Sequence, residues 1–313
     1  MERAQEEMKY AGVFGIYRKG HQVMAAHRNI FNQITLAFIL PLCFIYLAEM
    51  LISEILFSKQ PSYIFGQNTY KHTHHLPVYI IFNLAYYTFL VIFSLLSTSA
   101  VVYSVACIYS NRTISFNKVM GVVLRVWKRL MITFFVIYVF TFSYVVIAVL
   151  TLNLCLAIGG TASLVLFFIF LFMYIIGFVY LTIVWQLAAV VTVLEDFRGV
   201  KAMNKSRKLI KGKFWVALTI FIGLSILVAV IQFMFYVFVV YADSWAIWKR
   251  VLVGISCLVL LVPIFLYQLV LQTIIYFVCK SYHNETIDKP AMSNHLGAYE
   301  RLSDPDEVQM EQV

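Results

Sequence analysis

Charged residues are scarce in this chain: Asp, Glu, Lys and Arg make up 12% of its 313 residues, where about a quarter is usual in soluble domains. Hydrophobic residues make up 62%. Between Leu130 and Leu194 there are 65 consecutive positions without a charged residue. As one helix this stretch would reach about 97 Å, whereas a hydrocarbon core is about 30 Å thick. The composition excludes a water-soluble fold, and the uncharged stretch must turn back at least once.

Six long apolar stretches predict an all-α, polytopic membrane protein. The turn inside the uncharged stretch is expected between Asn153 and Thr161, because Gly159 and Gly160 interrupt helices. A leader of residues 1–33 precedes the six-span domain of residues 34–279, and a polar tail, residues 280–313, is expected to be disordered. The predicted spans are 34–57, 78–108, 130–152, 162–194, 214–241 and 249–279.

Lys and Arg alternate between the two sides of these spans. Twenty of the 24 lie in every second segment: five in residues 1–33, five in 109–129, seven in 195–213 and three after residue 279. Membrane insertion keeps basic loops on the cytosolic side. The alternation predicts that both termini are cytosolic, in a multi-pass protein of the plasma membrane or the endomembrane system.

Short amphipathic basic segments precede the first, third and fifth spans, and we expect each to form a helix on the cytosolic membrane surface. Their lead-ins are similar: Val23-Met24, Val119-Met120 and Ala202-Met203, each followed by basic residues and an apolar stretch. This similarity is consistent either with three repeats of a surface helix and a two-span hairpin or with chance recurrence.

The segment before the fifth span has the clearest amphipathic pattern. Val200, Met203, Ile210 and Phe214 share one helical face, and lysines at 201, 205 and 208 share another. Each cation near an anionic leaflet contributes about 1 kcal/mol to membrane binding. These cations either bind anionic lipid or only set the topology. The candidate lipid-binding surface is Lys201, Lys205, Arg207, Lys208, Lys211 and Lys213, together with Arg125, Lys128 and Arg129 before the third span.

A resemblance to known membrane proteins rests on seven positions in about 20 residues: Glu195, Gly199, Ala202, Ser206, Leu209, Gly212 and Trp215. They resemble the signature of a broad family that includes the membrane domain of some bacterial glycerophosphoryl diester phosphodiesterases. The whole chain resembles plant-type six-span transmembrane proteins. The resemblance implies a fold only, since those enzymes carry their chemistry in a soluble barrel domain that this chain lacks.

No combination of residues predicts catalysis, a cofactor or a resident metal. The five cysteines lie in or at the ends of the spans, so they indicate no disulfide framework. Cys107 and Cys279 are either palmitoylation sites or, as we prefer, small packing residues. His72, His74 and His75 have no accompanying Cys, Asp or Glu for a closed zinc site. We expect a protein that is not an enzyme and that has no nucleic-acid partner.

Polar residues within the spans are candidates for a polar path through the membrane: Glu49, Gln186, Gln232, Gln268 and Gln272. Gln268 and Gln272 share one helical face. Such glutamines either line a path or join helices by hydrogen bonds, which is the commoner role. Pro41 and Pro263 are candidate kinks in the first and sixth spans.

In the tail, Tyr299 and Leu302 have the spacing of a tyrosine-based sorting signal that cytosolic clathrin adaptors bind. Acceptor sequons at Asn111, Asn204 and Asn284 all fall on the predicted cytosolic side, where they would not be glycosylated.

Two classes of function fit these observations. The first is a non-catalytic membrane organiser, a scaffold for trafficking or for binding lipids or protein partners, whose basic helices engage anionic lipid or cytosolic proteins. The second is a transporter or channel for a small solute. The sequence favours the first, because its spans contain few charges and no matching pair of glycine-interrupted half-helices. A water-filled cavity that reaches Glu49, Gln232 or Gln268 would reverse this order.

Overall fold

The computed structural model describes residues 12–58, 75–110, 114–195, 197–242 and 246–283, and every regular element within these ranges is a helix. Six helical segments are long and apolar enough to cross a membrane. The predicted fold class, an all-α polytopic membrane protein with six spans, is therefore confirmed. The α-helices of the described residues are α1 (Val13–Ala26), α2 (Arg28–Ile34), α3 (Leu40–Ser58), α4 (His75–Tyr109), α5 (Phe116–Ile158), α6 (Thr161–Leu194), α7 (Val200–Leu209), α8 (Phe214–Phe235) and α9 (Ile247–Tyr282).

Two short π-helical segments complete the spans. Thr35–Ile39 joins α2 to α3 in the first span, and Tyr236–Val240 extends α8 in the fifth. Pro41 lies two residues after the end of the first of these segments, and a proline within a helix lacks the N–H that would bind the carbonyl one turn earlier. The N–H of Leu40 instead bonds to the carbonyl of Thr35, five residues back. At Pro263 the helix α9 continues without interruption.

The turn expected inside the uncharged stretch is present. α5 ends at Ile158 and α6 begins at Thr161, and the two intervening glycines have φ angles of 70° and 90°. Only glycine adopts such positive φ values at little cost. Two adjacent glycines therefore reverse the chain between two antiparallel spans.

The three amphipathic lead-ins take different forms. The first is the separate helix α1 and the third is the separate helix α7, whereas residues 116–130 are the first part of α5 and continue straight into the third span. No proline or glycine pair interrupts residues 116–130, so the helix has no reason to end there. The threefold repeat is accordingly not confirmed.

Helix α1 packs against the sixth span. The Tyr17 and Tyr267 rings stack at 5.8 Å, and the Tyr267 hydroxyl donates to the Tyr17 carbonyl at 2.8 Å. A Cβ on Gly20 would lie 2.8 Å from a methyl group of Leu271. Burial raises the pKa of the Tyr17 phenol. Because Tyr17 meets Tyr267 and Gly20 meets Leu271, the two helices run in the same direction where they touch.

The core lies at one end of the bundle. Residues 97–107 of α4 and 270–279 of α9 are buried without interruption, and so are 187–194 of α6. A helix that is buried on every face must be surrounded by other helices. We call this end, which carries residues 110–116 and 195–213, the basic end.

The opposite part of the α5–α6 hairpin is packed only on itself. The most apolar 18-residue window of each helix contains no buried residue. Phe135 and Phe172 are 69% and 65% exposed. Within the hairpin, the Tyr144 hydroxyl donates to the Tyr174 carbonyl at 2.8 Å, and Thr151 donates to the Tyr174 hydroxyl at 2.9 Å. The hairpin is thus anchored at the basic end and surrounded by lipid elsewhere.

Candidate functional site

A cavity of about 260 Å³ lies among the spans, where the α5–α6 hairpin joins the rest of the bundle. Eight of its 14 lining residues carry a hydroxyl, indole or amide group, although most of the surface that faces the cavity is apolar. Ligand pockets for drug-sized molecules have volumes of about 300–1,000 Å³, so this cavity suits a smaller molecule. Its wall consists of Leu42, Ser94, Ser97, Thr98, Phe134, Ile137, Thr182, Trp185, Gln186, Ala189, Phe265, Gln268, Leu269 and Gln272.

Three spans contribute polar pairs to this wall, each pair four residues apart: Ser94 with Thr98 on α4, Thr182 with Gln186 on α6, and Gln268 with Gln272 on α9. Residues four apart lie on one face of a helix. Each helix therefore turns one polar stripe towards the same space. Sequence reasoning found the glutamines but missed the hydroxyl residues, for which the same four-residue spacing was the available signal.

Gln272 joins two walls of the cavity. It is 4% exposed, and its side-chain amide donates to the backbone carbonyl of Gln186, so that α9 is bonded to α6. This is the helix-joining role in which spanning glutamines are commonly found. Ser97 is satisfied within its own helix, where its hydroxyl donates to the Ser94 carbonyl at 3.0 Å.

Two polar atoms of the wall are buried without a hydrogen-bond partner among the described residues. They are the side-chain carbonyl oxygen of Gln186 and the indole nitrogen of Trp185. An unsatisfied buried donor or acceptor costs about 1–3 kcal/mol. Both atoms are fully buried, so they do not face the open space of the cavity, although other atoms of the two residues line it.

The remaining two residues of the predicted polar path lie elsewhere. The Gln232 amide donates to the Tyr46 hydroxyl at 2.6 Å and so joins the fifth span to the first. Glu49 is half-buried on α3 and does not line the cavity. The structure thus brings together Gln186, Gln268 and Gln272 and leaves Gln232 and Glu49 outside the group.

In the segment that carries the family-like signature, the side chains join helices to one another. Glu195 follows the last residue of α6, and its Oε1 accepts from Lys280 Nζ at 2.9 Å and from the Tyr276 hydroxyl at 2.5 Å. The Glu195 and Lys280 side chains are 14% and 21% exposed. This ion pair joins the ends of α6 and α9 at the basic end.

Gly199 starts α7 and fixes it to the third span. Its φ angle is +55°, and its N–H donates to the Thr133 hydroxyl at 3.0 Å. Thr133 in turn lies 3.1 Å, oxygen to oxygen, from Thr192 of α6. A side chain at position 199 would be strained by the φ angle and would approach Val136 to 3.3 Å.

The buried face of α7 consists mainly of small residues. Ala202 and Ser206 are fully buried, Leu209 is 1% exposed, and the Ser206 hydroxyl donates to the Val184 carbonyl of α6 at 2.8 Å. Of the apolar face expected for α7, Met203 and Ile210 are buried at 8% and 2% exposure, whereas Val200 is 49% exposed. The helix packs against α6, because the small side chains of Ala202 and Ser206 allow close approach.

The last two signature positions follow α7. Gly212 has a φ angle of +96°, and a Cβ there would lie 2.3 Å from the Tyr282 ring. Trp215 is 76% exposed. His283 holds the end of α7 from the other side, with its Nε2 at 3.1 Å from the Leu209 carbonyl and 3.0 Å from the Lys211 carbonyl. Since carbonyls only accept, Nε2 carries the proton. Five of the seven signature residues thus lie where α7 and its two ends pack against α5, α6 and α9, and Glu195 joins α6 to α9.

The outer face of α7 is basic. Lys201, Arg207, Lys208 and Lys211 are exposed, whereas Lys205 and Lys213 are half-buried. Lys213 lies over the Tyr282 ring at 5.6 Å. Of the predicted lipid-binding residues before the third span, Lys128 is exposed and Arg125 and Arg129 are half-buried on α5. We call Lys201, Arg207, Lys208 and Lys211 the basic stripe.

The other predicted sites include buried cysteines, one exposed asparagine and several residues outside the described ranges. Cys107 and Cys279 are 2% and 0% exposed, which favours packing over palmitoylation. The described residues contain no group of His, Cys, Asp and Glu that could hold a metal ion. Asn204 is exposed on α7. His72, His74, Asn111, Asn284, Tyr299 and Leu302 lie outside the described residues, as does the side chain of His75.

Comparison with known sequences adds a family but no activity. A family model described as "Domain of unknown function (DUF8558)" matches residues 1–313. No curated protein and no solved structure matches the chain. The resemblance to the membrane domain of the phosphodiesterases therefore stays a prediction. Because the match covers the whole length, the chain belongs to the DUF8558 family.

Proposed function

We propose that the protein is a non-catalytic integral membrane protein that binds a small solute in the cavity between its spans, as a carrier or a channel does. The observation that carries this proposal is the convergence of polar residues from three spans on one cavity that reaches Gln268. The sequence favoured a scaffold, and a cavity that reaches Gln268 would reverse the order of the two functions if it is filled with water.

Polar side chains at membrane depth are costly, so their clustering around a cavity supports function. Helix joining explains Gln272, which bonds to α6, and Gln232, which bonds to the first span. It does not explain the unpaired Gln186 carbonyl and Trp185 indole. Because these two atoms are themselves buried, the support for solute binding comes from the other polar groups that line the cavity.

The position of the cavity also supports solute binding. It lies where the hairpin leaves the bundle, between Phe134 and Ile137 of α5 and Gln268 and Gln272 of α9. Carriers place their substrate sites between two bodies that move against each other. The hairpin is held by the packed basic end and has only lipid around its opposite part, so it can tilt about the cavity.

Cysteine labelling tests whether the cavity holds water. The thiolate attacks methanethiosulfonate reagents and displaces methanesulfinate, and it forms in water and not in hydrocarbon. We expect Ile137→Cys, in the cavity wall, to be labelled by a small membrane-permeant reagent in the full-length protein in vesicles. The background is low, because all five native cysteines are buried.

Val139→Cys is the matched control. Val139 lies two residues from Ile137 on the same helix, is 46% exposed, and does not line the cavity. Its thiol should face lipid and resist the reagent. Equal labelling at the two positions, or none at Ile137→Cys, would contradict a solvated cavity and with it the proposed function.

A membrane-organising scaffold is the second candidate, and the basic stripe on α7 favours it. Three exposed cations on α7 and Lys211 just after it, on a helix packed against the spans, form a surface suited to anionic lipid or an acidic cytosolic partner. In both proposals the basic end and both termini are cytosolic, and the membrane is the plasma membrane or an endomembrane.

A further inference from the structure

A groove of about 420 Å³ lies between the first, fifth and sixth spans. Eleven of its twelve lining residues have no polar side-chain atom, and the twelfth is Arg250. The groove shares no lining residue with the cavity described above. A largely apolar pocket of this volume with a well-placed polar group is typical of ligand sites.

The groove opens sideways to the bilayer. Phe44, Val251 and Ile255 line it and are exposed, and all three belong to membrane-spanning helices. Hydrocarbon rather than water therefore reaches these side chains. A lipid can place one acyl chain in the groove from the side and leave its other chain in the bilayer.

The groove is about as long as one leaflet is deep. Its lining residues on α9 run from Ile247, the first residue of the helix, to Leu258. At about 1.5 Å per residue they cover about 16 Å of the helix axis. Half of a hydrocarbon core of about 30 Å is about 15 Å. An acyl chain that enters at the start of α9 would thus end near the midplane.

The start of α9 lies at the level of the lipid headgroups. Trp248 and Lys249 are exposed there, with the Lys249 ammonium group 5.6 Å from the centre of the indole ring. Tryptophan is enriched at the membrane–water interface, and long basic side chains near helix ends reach towards it. Arg250, the next residue, lies in the same turn of the helix.

The guanidinium of Arg250 is held at this end of the groove. Its Nε donates to the Val239 carbonyl at 2.8 Å, and its Nη2 donates to the Val240 carbonyl at 3.4 Å. A guanidinium has five N–H donors and a permanent charge, so it can bind a phosphate while both bonds remain. Among the described residues that line the groove, Arg250 is the one that carries a charge.

We propose that this groove binds one anionic phospholipid of the leaflet opposite the basic end, with its phosphate at Arg250 and one acyl chain along Val251, Gly254 and Ile255. A zwitterionic phospholipid would make the same apolar contacts, but its choline would offset part of the attraction between the phosphate and the cation. The site is separate from the basic stripe, which lies at the other end of the bundle, and it does not depend on solute binding in the cavity.

Photo-cross-linking tests the site. The probe is a trace of phosphatidic acid that carries a diazirine on one acyl chain, in phosphatidylcholine vesicles that contain the full-length protein. We expect the label on groove residues of α3 and α9, and we expect unlabelled phosphatidic acid to compete in a saturable manner. The same diazirine on phosphatidylcholine should label lipid-facing residues without preference for the groove.

Gly254→Leu fills the groove and leaves Arg250 in place. A Cβ at position 254 would meet only the Phe235 ring, at 3.8 Å, so the change is compatible with the fold. It should abolish the saturable label. Val259→Leu is the matched control, because Val259 is exposed on the same helix and does not line the groove.

Arg250→Gln removes the charge and keeps an amide donor for the Val239 carbonyl. It should raise the mole fraction of phosphatidic acid for half-competition about tenfold, the effect of losing a hydrogen bond to a charged group. Arg250→Lys keeps the charge and should lose less. Lys249→Gln removes the neighbouring exposed cation, which does not line the groove, and should change nothing.

Three results would overturn the proposal. Label spread evenly over the lipid-facing residues, without competition, would show that the groove holds only bulk lipid. Equal losses in Lys249→Gln and Arg250→Gln would show a general surface attraction instead of a site. Competition by oleate but not by phosphatidic acid would assign the groove to a free fatty acid. Labelling by the phosphatidylcholine probe, measured in every variant, shows that the protein is still folded in the membrane.

Discussion

Glu195 and Lys280 are joined by an ion pair with an Nζ to Oε1 distance of 2.9 Å, although 85 positions separate them in the chain. The same Lys280 Nζ lies 5.6 Å from the centre of the Tyr276 ring and 3.3 Å from its hydroxyl. The pair connects the ends of α6 and α9, which are the helices that also form the cavity wall. Its strength therefore affects how firmly the basic end is held.

We predict that Glu195→Ala lowers the free energy of unfolding by about 1–3 kcal/mol, because Lys280 and the Tyr276 hydroxyl lose their partner. Glu195→Gln keeps an acceptor oxygen and should cost less. Thermal unfolding in detergent measures both. The double variant with Lys280→Ala should be less destabilised than the two single effects added together. Full additivity would show that the two side chains are not coupled.

Three glycines form a graded test of backbone and steric strain. Gly212→Ala combines a φ of +96° with a contact of 2.3 Å to the Tyr282 ring, and it should be the most destabilising. Gly159→Ala has a φ of +70° and open space around it, so it should cost about 1–2 kcal/mol. Gly12→Ala has a φ of −83° and no neighbour within 4 Å, and it should be nearly neutral. A different order in thermal unfolding would contradict this account.

The spans were predictable because the information is local. One uninterrupted apolar stretch is enough to predict a span, and the two adjacent residues Gly159 and Gly160 are enough to predict the turn. The buried face of α7 was predicted only in part, because an amphipathic pattern shows which face is apolar but not what covers it. For α7 the small residues Ala202 and Ser206 were the better indication, since they permit close packing on another helix.

The cavity could be predicted only in part, because its wall comes from spans far apart in the chain. Gln268 and Gln272 were identified together from their spacing, but nothing local connects them to Gln186. The helix register that brings them together follows from packing. The same limit explains why Gln232 and Glu49 were grouped with them: polarity within a span was visible, and the partner of each residue was not.

The basic stripe should bind anionic lipid with a strength that depends on salt. Replacing Lys201, Arg207, Lys208 and Lys211 by Gln should weaken association with anionic lipid by about 1 kcal/mol per charge. Retention of phosphatidylserine during purification in mild detergent measures the effect, with the neutral phosphatidylcholine as reference. Raised ionic strength should reduce binding by the wild type and leave the fourfold variant unchanged. Equal retention by both proteins would leave the cations with a topological role only.

The sorting signal predicted at Tyr299 and Leu302 is testable in cells. Tyr299→Ala in a tagged full-length protein should change the steady-state distribution among membranes, because an adaptor pocket would lose its anchoring ring. Leu302→Ala should have the same effect. Gln309→Ala, in the same tail but outside the four-residue pattern, is the control. An unchanged distribution in the two variants would remove the signal from the proposed function.

The orientation of the protein can be decided by protease treatment of sealed microsomes, whose cytosolic face is outward. Positively charged segments are retained in the cytosol, so an epitope after Val313 and one before Met1 should both be digested from outside. An epitope inserted between Gln67 and Asn68, in the loop between the first two spans, should be protected until detergent is added. The sequon at Asn204 should stay unglycosylated, so that glycosidase treatment does not change the mobility of the protein. Protection of the terminal epitopes, or sugar on Asn204, would place the basic end in the lumen and reverse the access side of the cavity.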